Sequence, residues 1–197
     1  MMRSVSQTVR RAVGIGAVGA GLLGGGCAGV HDRRDPVGET FPTVSGVGLD
    51  DRAWTIPADL AGEPALLLIG YRQSSQFDID RWLLGLHQAE IEVRALELPT
   101  IPGFLPRLFR RSIDSGMRSG IPAEDWGAVV TVYRDGGQIA SFTGNRNGLP
   151  ARVLLLDGEG VVRYFHDEGY SVGALERMAK ALDAVRGEGG GEQADPG

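Results

Sequence analysis

The eighteen residues ALLLIGYRQSSQFDIDRW, positions 65–82, run from an unbroken apolar segment through a short polar loop into an amphipathic one. Five apolar residues in a row, Ala65 to Ile69, leave no alternation, as expected of a central strand covered on both faces (65–71). Ser74 or Ser75 can cap a helix over about 76–90, with Asp78 and Asp80 in the first turn where the helix dipole favours acids. Helical spacing brings Phe77, Ile79 or Asp80, Leu83, Leu84 and His87 to one side. Such strand-to-helix junctions carry chemistry in α/β folds, because the helix N-terminus offers unpaired N–H groups and partial positive charge. The loop between holds Tyr71, Arg72, Gln73, Ser74, Ser75 and Gln76, and no cysteine.

Downstream, IEVRALEL (91–98) alternates strictly and reads as a strand. A helix over about 104–118 would carry Leu105, Leu108, Phe109, Ile113 and Met117 on one side, with Gly120-Ile121-Pro122 ending it. Around it Arg107, Arg110, Arg111 and Arg118 surround one acid, Asp114. That is a candidate surface for lipid headgroups or an acidic partner, or else the solvated face of a core-packing helix. Residues 128–134 and 138–143 flank Asp135-Gly136-Gly137, a hairpin signal. After the turn-rich Gly144–Gly148 loop come Leu149-Pro150, a strand over 152–156, a turn at 157–160, a strand over 161–165 and a helix over 172–185. Upstream, 43–47 and 53–56 form a hairpin around a turn near Leu49–Asp51, and 59–62 a helical turn.

The 197 residues suit one domain plus tails, and a formal charge of −5 gives no whole-chain signal for nucleic acid. Cys27 is the only cysteine, so an intrachain disulfide and a cysteine-based zinc site are excluded. His31, His87 and His166 show no metal-ligand spacing. Neither a metal nor a cofactor is implied.

Residues 1–29 read as a targeting leader. Arg3, Arg10 and Arg11 precede an apolar, Gly-rich stretch, Ala12 to Gly26, that is too short for a confident membrane span. Its end, LLGGGCAG, resembles a bacterial lipoprotein box with Cys27 as the lipidated residue, although Gly24 stands where that box prefers Leu. Cleavage after Ala28 and a retained anchor are the other two readings; Arg10-Arg11 followed by Ala-Val-Gly fits twin-arginine export poorly. Loss of the leader removes three Arg and no acids, taking the charge from −5 to −8. Export places the chain in the cell envelope, on the periplasmic face if lipidated and otherwise periplasmic or secreted. The charged VHDRRDPVGET (30–40) reads as a tether, 41–186 as the domain, and the Gly-rich 187–197 as a disordered tail.

Three segments carry a resemblance to the thioredoxin-like superfamily, especially its envelope branch of peroxiredoxin-like and thiol-disulfide oxidoreductase lipoproteins. FPTVSGVGLDDRAWTIPADLAGEPALLLIGY is similar to that branch's entry hairpin and first core strand, YRQSSQF stands at its active-site loop, and LPARVLLLDGEGVVRYF is similar to its cis-proline strand and following hairpin. The resemblance implies an α/β fold, a central mixed sheet flanked by helices, with an N-terminal and an inserted hairpin, and makes Pro150 the candidate cis-proline. Where the family has C-x-x-C this chain reads Ser74-Ser75-Gln76-Phe77, so Ser74 takes the nucleophile's place and Phe77 its partner's. A hydroxyl forms no disulfide and is a poor nucleophile without a base, so thiol peroxidase or disulfide reductase activity is not carried over. Tyr71-Arg72-Gln73 with an acidic, Trp-containing helix also looks like the mitochondrial ATP synthase assembly-factor family and its bacterial relatives.

These readings predict a non-redox binding or assembly module for a membrane-associated partner, anchored through Cys27. Its candidate binding residues are Tyr71, Arg72, Gln73, Ser74, Ser75 and Pro150, with Arg107, Arg110 and Arg111 as a second surface. A cis Pro150 would offer the Leu149 and Ala151 backbone to a peptide strand. The alternative is an enzyme using Arg72, Ser74 and an approaching His166. The bland reading gives the serines to capping, Arg72 to an ion pair with Asp78 or a neighbour, Asp78, Asp80 and Arg81 to a solvated first turn, and Trp82 and Trp126 to the core.

Overall fold

The computed structural model describes residues 30–100 and 110–190. Two sheets carry the chain. The larger has the order β4 (Arg94–Pro99), β3 (Ala65–Gly70), β6 (Arg152–Leu156), β7 (Val162–His166). β3 runs parallel to β4 and antiparallel to β6, and β6 pairs antiparallel with β7. The smaller has the order β2 (Ala53–Ile56), β1 (Val44–Gly48), β5 (Val130–Thr131), all antiparallel. Parallel bridges Glu97↔Val129 and Thr100↔Val132 join the two at β4.

All six residues of β3 and all five of β6 are buried, which is why neither alternates. Leu66, Leu68, Val153 and Leu155 meet Ile79, Trp82 and Leu86 of α1 (Gln76–Gln88) and Ala174, Leu175, Met178 and Leu182 of α4 (Val172–Gly190). On the opposite face Leu67, Ile69, Leu154 and Leu156 meet Phe41, Val44, Trp54, Ile56, Val130 and Val132, with Ile139 and Phe142 of α3 (Gly136–Thr143). Each fully buried leucine here contributes roughly 1.5–3 kcal/mol. The remaining helix, α2 (Arg110–Gly120), stops just before Ile121-Pro122, in keeping with the stop signal in the sequence.

Four expectations need correction. Residues 136–143 form a helix and no second arm of a hairpin: Gly136, Ile139, Ala140 and Thr143 are buried at helical spacing, and the Asp135 carbonyl accepts from both Gln138 and Ile139 N–H. Asp135-Gly136-Gly137 starts that helix, and the Asp135 carboxylate accepts the Ser45 N–H at 2.7 Å. Residues 187–190, assigned to the tail, continue α4. The Leu149–Pro150 bond is trans, the default for X–Pro, and among the described residues the cis bond lies at Ile56–Pro57.

Finally, residues 31–41 are no free tether. They lie along the domain as a strap. At one end Thr40 bridges to Val161, and Phe41, 1% exposed, donates its N–H to Gly160 O and meets the Phe142 ring edge-on. At the other the His31 N–H donates to Asn145 Oδ1 at 2.7 Å while the Asn145 N–H donates to His31 O. Between them Arg33 pairs with Asp167 and Glu168, Asp32 with Arg146, and Arg34 with Glu39. A Cβ at Gly144 would lie 2.5 Å from Asp32 O, so the strap passes where only glycine fits.

Candidate functional site

The loop after β3 turns through a single 3-10 turn, Gln73–Ser75, into α1. It faces the Gly144–Ala151 loop that leads into β6. The two loops are stitched together from both sides. Ser75 is fully buried and its Oγ donates to Gly148 O at 3.0 Å. Asp78 reaches back with both carboxylate oxygens, accepting the Ala151 N–H at 2.9 Å and the Tyr170 N–H at 2.7 Å. Beneath them Arg152, 3% exposed, gives Nε to Gly144 O, one terminal nitrogen to Pro150 O and the other to Asn147 O, all within 3.0 Å. Burial lowers the Arg152 pKa, opposed by Tyr71 and Asp167 nearby. Its guanidinium lies 5.5 Å from the centre of the Tyr71 ring.

Several predicted ligand groups are therefore occupied within the fold. The Tyr71 hydroxyl lies 2.6 Å from Thr143 Oγ1, and burial pushes its pKa up to about 12. Ser75 is spent on Gly148. The Ala151 N–H belongs to Asp78 and the Leu149 N–H to Asn147 Oδ1, so the two N–H groups expected to receive a peptide strand are already bonded. A trans Pro150 whose carbonyl accepts from Arg152 completes that closure. The capping role expected of the serines also fails at Ser75, whose side chain makes no cap hydrogen bond.

What remains open is different in kind. Arg72 is exposed and its side chain lies over Gly148; its carbonyl accepts the Ser75 N–H, but its guanidinium makes no ion pair or hydrogen bond among the described residues. Asp78, its expected partner, is committed to backbone N–H groups. Gln73 and Ser74 are exposed beside it. Phe77 is 73% exposed and Leu149 52%, both flanking the stitched loops. Gln76 Nε2 donates to Asp80 Oδ1 and Glu97 Oε2, each at 3.0 Å; burial raises the Glu97 pKa, and the bond from Gln76 opposes that shift. His166 does not approach a serine hydroxyl: its Nε2 contacts Gly169 O and its ring meets Trp82 edge-on. Trp82 belongs to the core, as expected, whereas Trp126 is half-buried under Arg118 and donates to Ile121 O. Cys27 and Arg107 lie outside the described residues, and Arg110 and Arg111 open α2.

Sequence reasoning missed Arg152 and undervalued Asp78, Phe77 and Leu149. The signal for Arg152 is an arginine opening the apolar run RVLLL, next to a Gly- and Asn-rich loop whose inward carbonyls need donors. The signal for Phe77 is an apolar residue in the first turn of a helix whose buried side is set by Ile79, Trp82 and Leu86.

No family model matches this sequence, and no curated protein matches it. Solved structures do match. The exposed lipoprotein thioredoxin of Streptococcus pneumoniae aligns at a TM-score of 0.51 with 14% identity, over 72% of this chain and 100% of that one. A SCO1/SenC family lipoprotein from Bacillus anthracis aligns at 0.52 with 12% identity, over 79% and 99%. BsSco, a member of the Sco family of cytochrome c oxidase assembly proteins, aligns at 0.52 with 11% identity, over 79% and 98%. The fold is thioredoxin-like: a mixed α/β arrangement with helices flanking the sheet, as the sequence predicts.

Proposed function

We propose that this chain is an exported envelope lipoprotein that uses a thioredoxin scaffold for binding and not for thiol chemistry, holding a membrane-associated protein or complex. The observation that carries the reading is the redeployment of the loop where thioredoxin-like proteins place their cysteines. Its buried hydroxyl donates to the Gly148 carbonyl and the facing Leu149 and Ala151 N–H groups are bonded, while the exposed Arg72 guanidinium, with no ion pair or side-chain hydrogen bond among the described residues, and the two large apolar side chains of Phe77 and Leu149 remain open to solvent. Arginine and aromatic anchors of this sort supply most of the binding energy in protein interfaces. Arg72 would meet a carboxylate of the partner, with Phe77 and Leu149 taking its apolar contacts and Gln73 and Ser74 the polar rim. Assembly of a membrane complex is the specific form of this function that the second resemblance favours, and a Sco-family assembly protein shares the scaffold.

The test is capture of envelope partners by the anchored protein and by three variants. Arg72→Glu and Phe77→Ser are each expected to weaken retention of the same partner at least about tenfold, as loss of an interface anchor does. Ser74→Ala, at the rim, is expected to weaken it by no more than about twofold. Loss of function on Ser74→Ala with Arg72→Glu silent would contradict the reading and favour catalysis at the serine.

A further inference from the structure

The strap fixes which end of the domain faces the membrane. Resting on the lipoprotein reading of Cys27, we infer that the anchored domain is held with its Arg72–Leu149 end against the bilayer surface. If the chain left the fold at Phe41, it would depart from the end marked by the β6–β7 turn, where Phe41 bonds Gly160. Instead residues 31–41 double back along the domain, and the chain leaves at His31, locked to Asn145 by reciprocal hydrogen bonds. Asn145, Arg146, Asn147 and Leu149 belong to the loop that packs on Ser75 and under Arg72. Between that loop and the β6–β7 turn runs β6, Arg152–Leu156, which covers roughly 13 Å at about 3.3 Å per residue, so the loop before it and the turn after it lie at opposite ends of the sheet.

Four residue steps separate Cys27 from His31. Fully extended they reach about 14 Å, roughly twice the ~5–7 Å depth of one headgroup layer. An acyl chain on Cys27 therefore leaves the domain little room to turn over while the strap is docked. The end it brings down suits a lipid–water interface: Arg72, with no ion pair or side-chain hydrogen bond among the described residues, can rest on headgroup phosphate until a partner carboxylate replaces it, and the exposed Leu149 and Phe77 can face the same layer until the partner covers them. The strap closes with specific contacts along its length, the Arg33–Asp167 and Asp32–Arg146 pairs among them. It follows that a protein partner reaching Arg72 must present its docking group at headgroup depth, as a juxtamembrane segment does.

The lipidated full chain is reconstituted in vesicles of phosphatidylethanolamine and phosphatidylglycerol carrying a headgroup-attached quencher. With Cys27 acylated, a fluorophore is placed on a single introduced thiol, in Leu149→Cys or in Glu159→Cys at the far end. The label at 149 is expected to lose most of its emission and the label at 159 little. A long Gly-Ser linker inserted between Gly29 and Val30 is expected to abolish the difference. Equal quenching at both positions with Cys27 acylated, as read by intact mass, overturns the orientation alone. An unmodified Cys27 contradicts the lipoprotein reading and this inference with it.

Discussion

Asp78 and Arg152 do the same work with opposite charge: Arg152 satisfies three carbonyls of the turn into β6, and Asp78 the Ala151 N–H of that turn and the Tyr170 N–H beyond β7. Truncating Asp78 to Ala strands the Ala151 and Tyr170 N–H groups, the first of them on a fully buried residue. A loss of about 2–3 kcal/mol in urea unfolding is expected, the range for hydrogen bonds to a charged group. Arg152→Lys keeps the charge but loses the planar fork that reaches three carbonyls, and a similar loss of about 2–3 kcal/mol follows. Tyr71 adds a pH signature. Its folded pKa is raised to about 12 by burial, so its contribution is fully present below the unfolded value near 10 and is lost as pH rises towards 12. Stability profiles should show wild type losing up to about 2–3 kcal/mol across that window and Tyr71→Phe losing less. None of these partnerships is legible from residue type. Asp in a first turn is accounted for by the helix dipole alone, so the sequence offers no reason to send Asp78 to a segment seventy-three residues away.

At the scale of elements, buried strands are the easiest to read. An unbroken apolar run too short for a helix and bounded by turn residues, five residues at 65–69 and four at 153–156, fits a strand covered on both faces, and the strand over 152–156 is found at those residues. Helix α3 escapes such a reading because Asp-Gly-Gly serves a hairpin turn and a helix start equally, and its short apolar spacing does not separate the two periods. The strap escapes it for a related reason. Its charge and its Pro and Gly look like a linker, but those charges find partners on Asp167, Glu168 and Arg146 that only the tertiary fold supplies. Gly144 is the point at which this element is most easily tested. Gly144 has φ +69°, and an added methyl would press on Asp32 O, so Gly144→Ala is expected to lift the strap while the core holds. Trypsin should then cut after Arg33 or Arg34 faster than in wild type; an unchanged rate would contradict the docking.

Across the whole molecule, a sheet covered on both faces holds two loops in register at one end, and no cysteine stands at that end among the described residues. The class of fold follows from the order of elements, because strand, helix, strand, then an antiparallel pair and a helix admits few arrangements around one core. The binding surface does not follow in the same way. Polarity singles out the candidate ligands in the sequence, and the fold spends most of that polarity internally, on Thr143, Gly148 and Asp78. Of the candidates Tyr71 to Ser75 and Pro150, Arg72, Gln73 and Ser74 are exposed, with Phe77 and Leu149 as the apolar part that polarity does not point to.

The measurement that tests the central claim most directly is site-specific photocrosslinking in intact envelopes, with the photoreactive side chain at Phe77 or at the distant Glu159. A discrete adduct from position 77, absent from 159 and lost when Arg72→Glu is combined with it, is the predicted result. Adducts of equal yield from both positions, or none from position 77, would contradict a docking surface at the Arg72–Leu149 end.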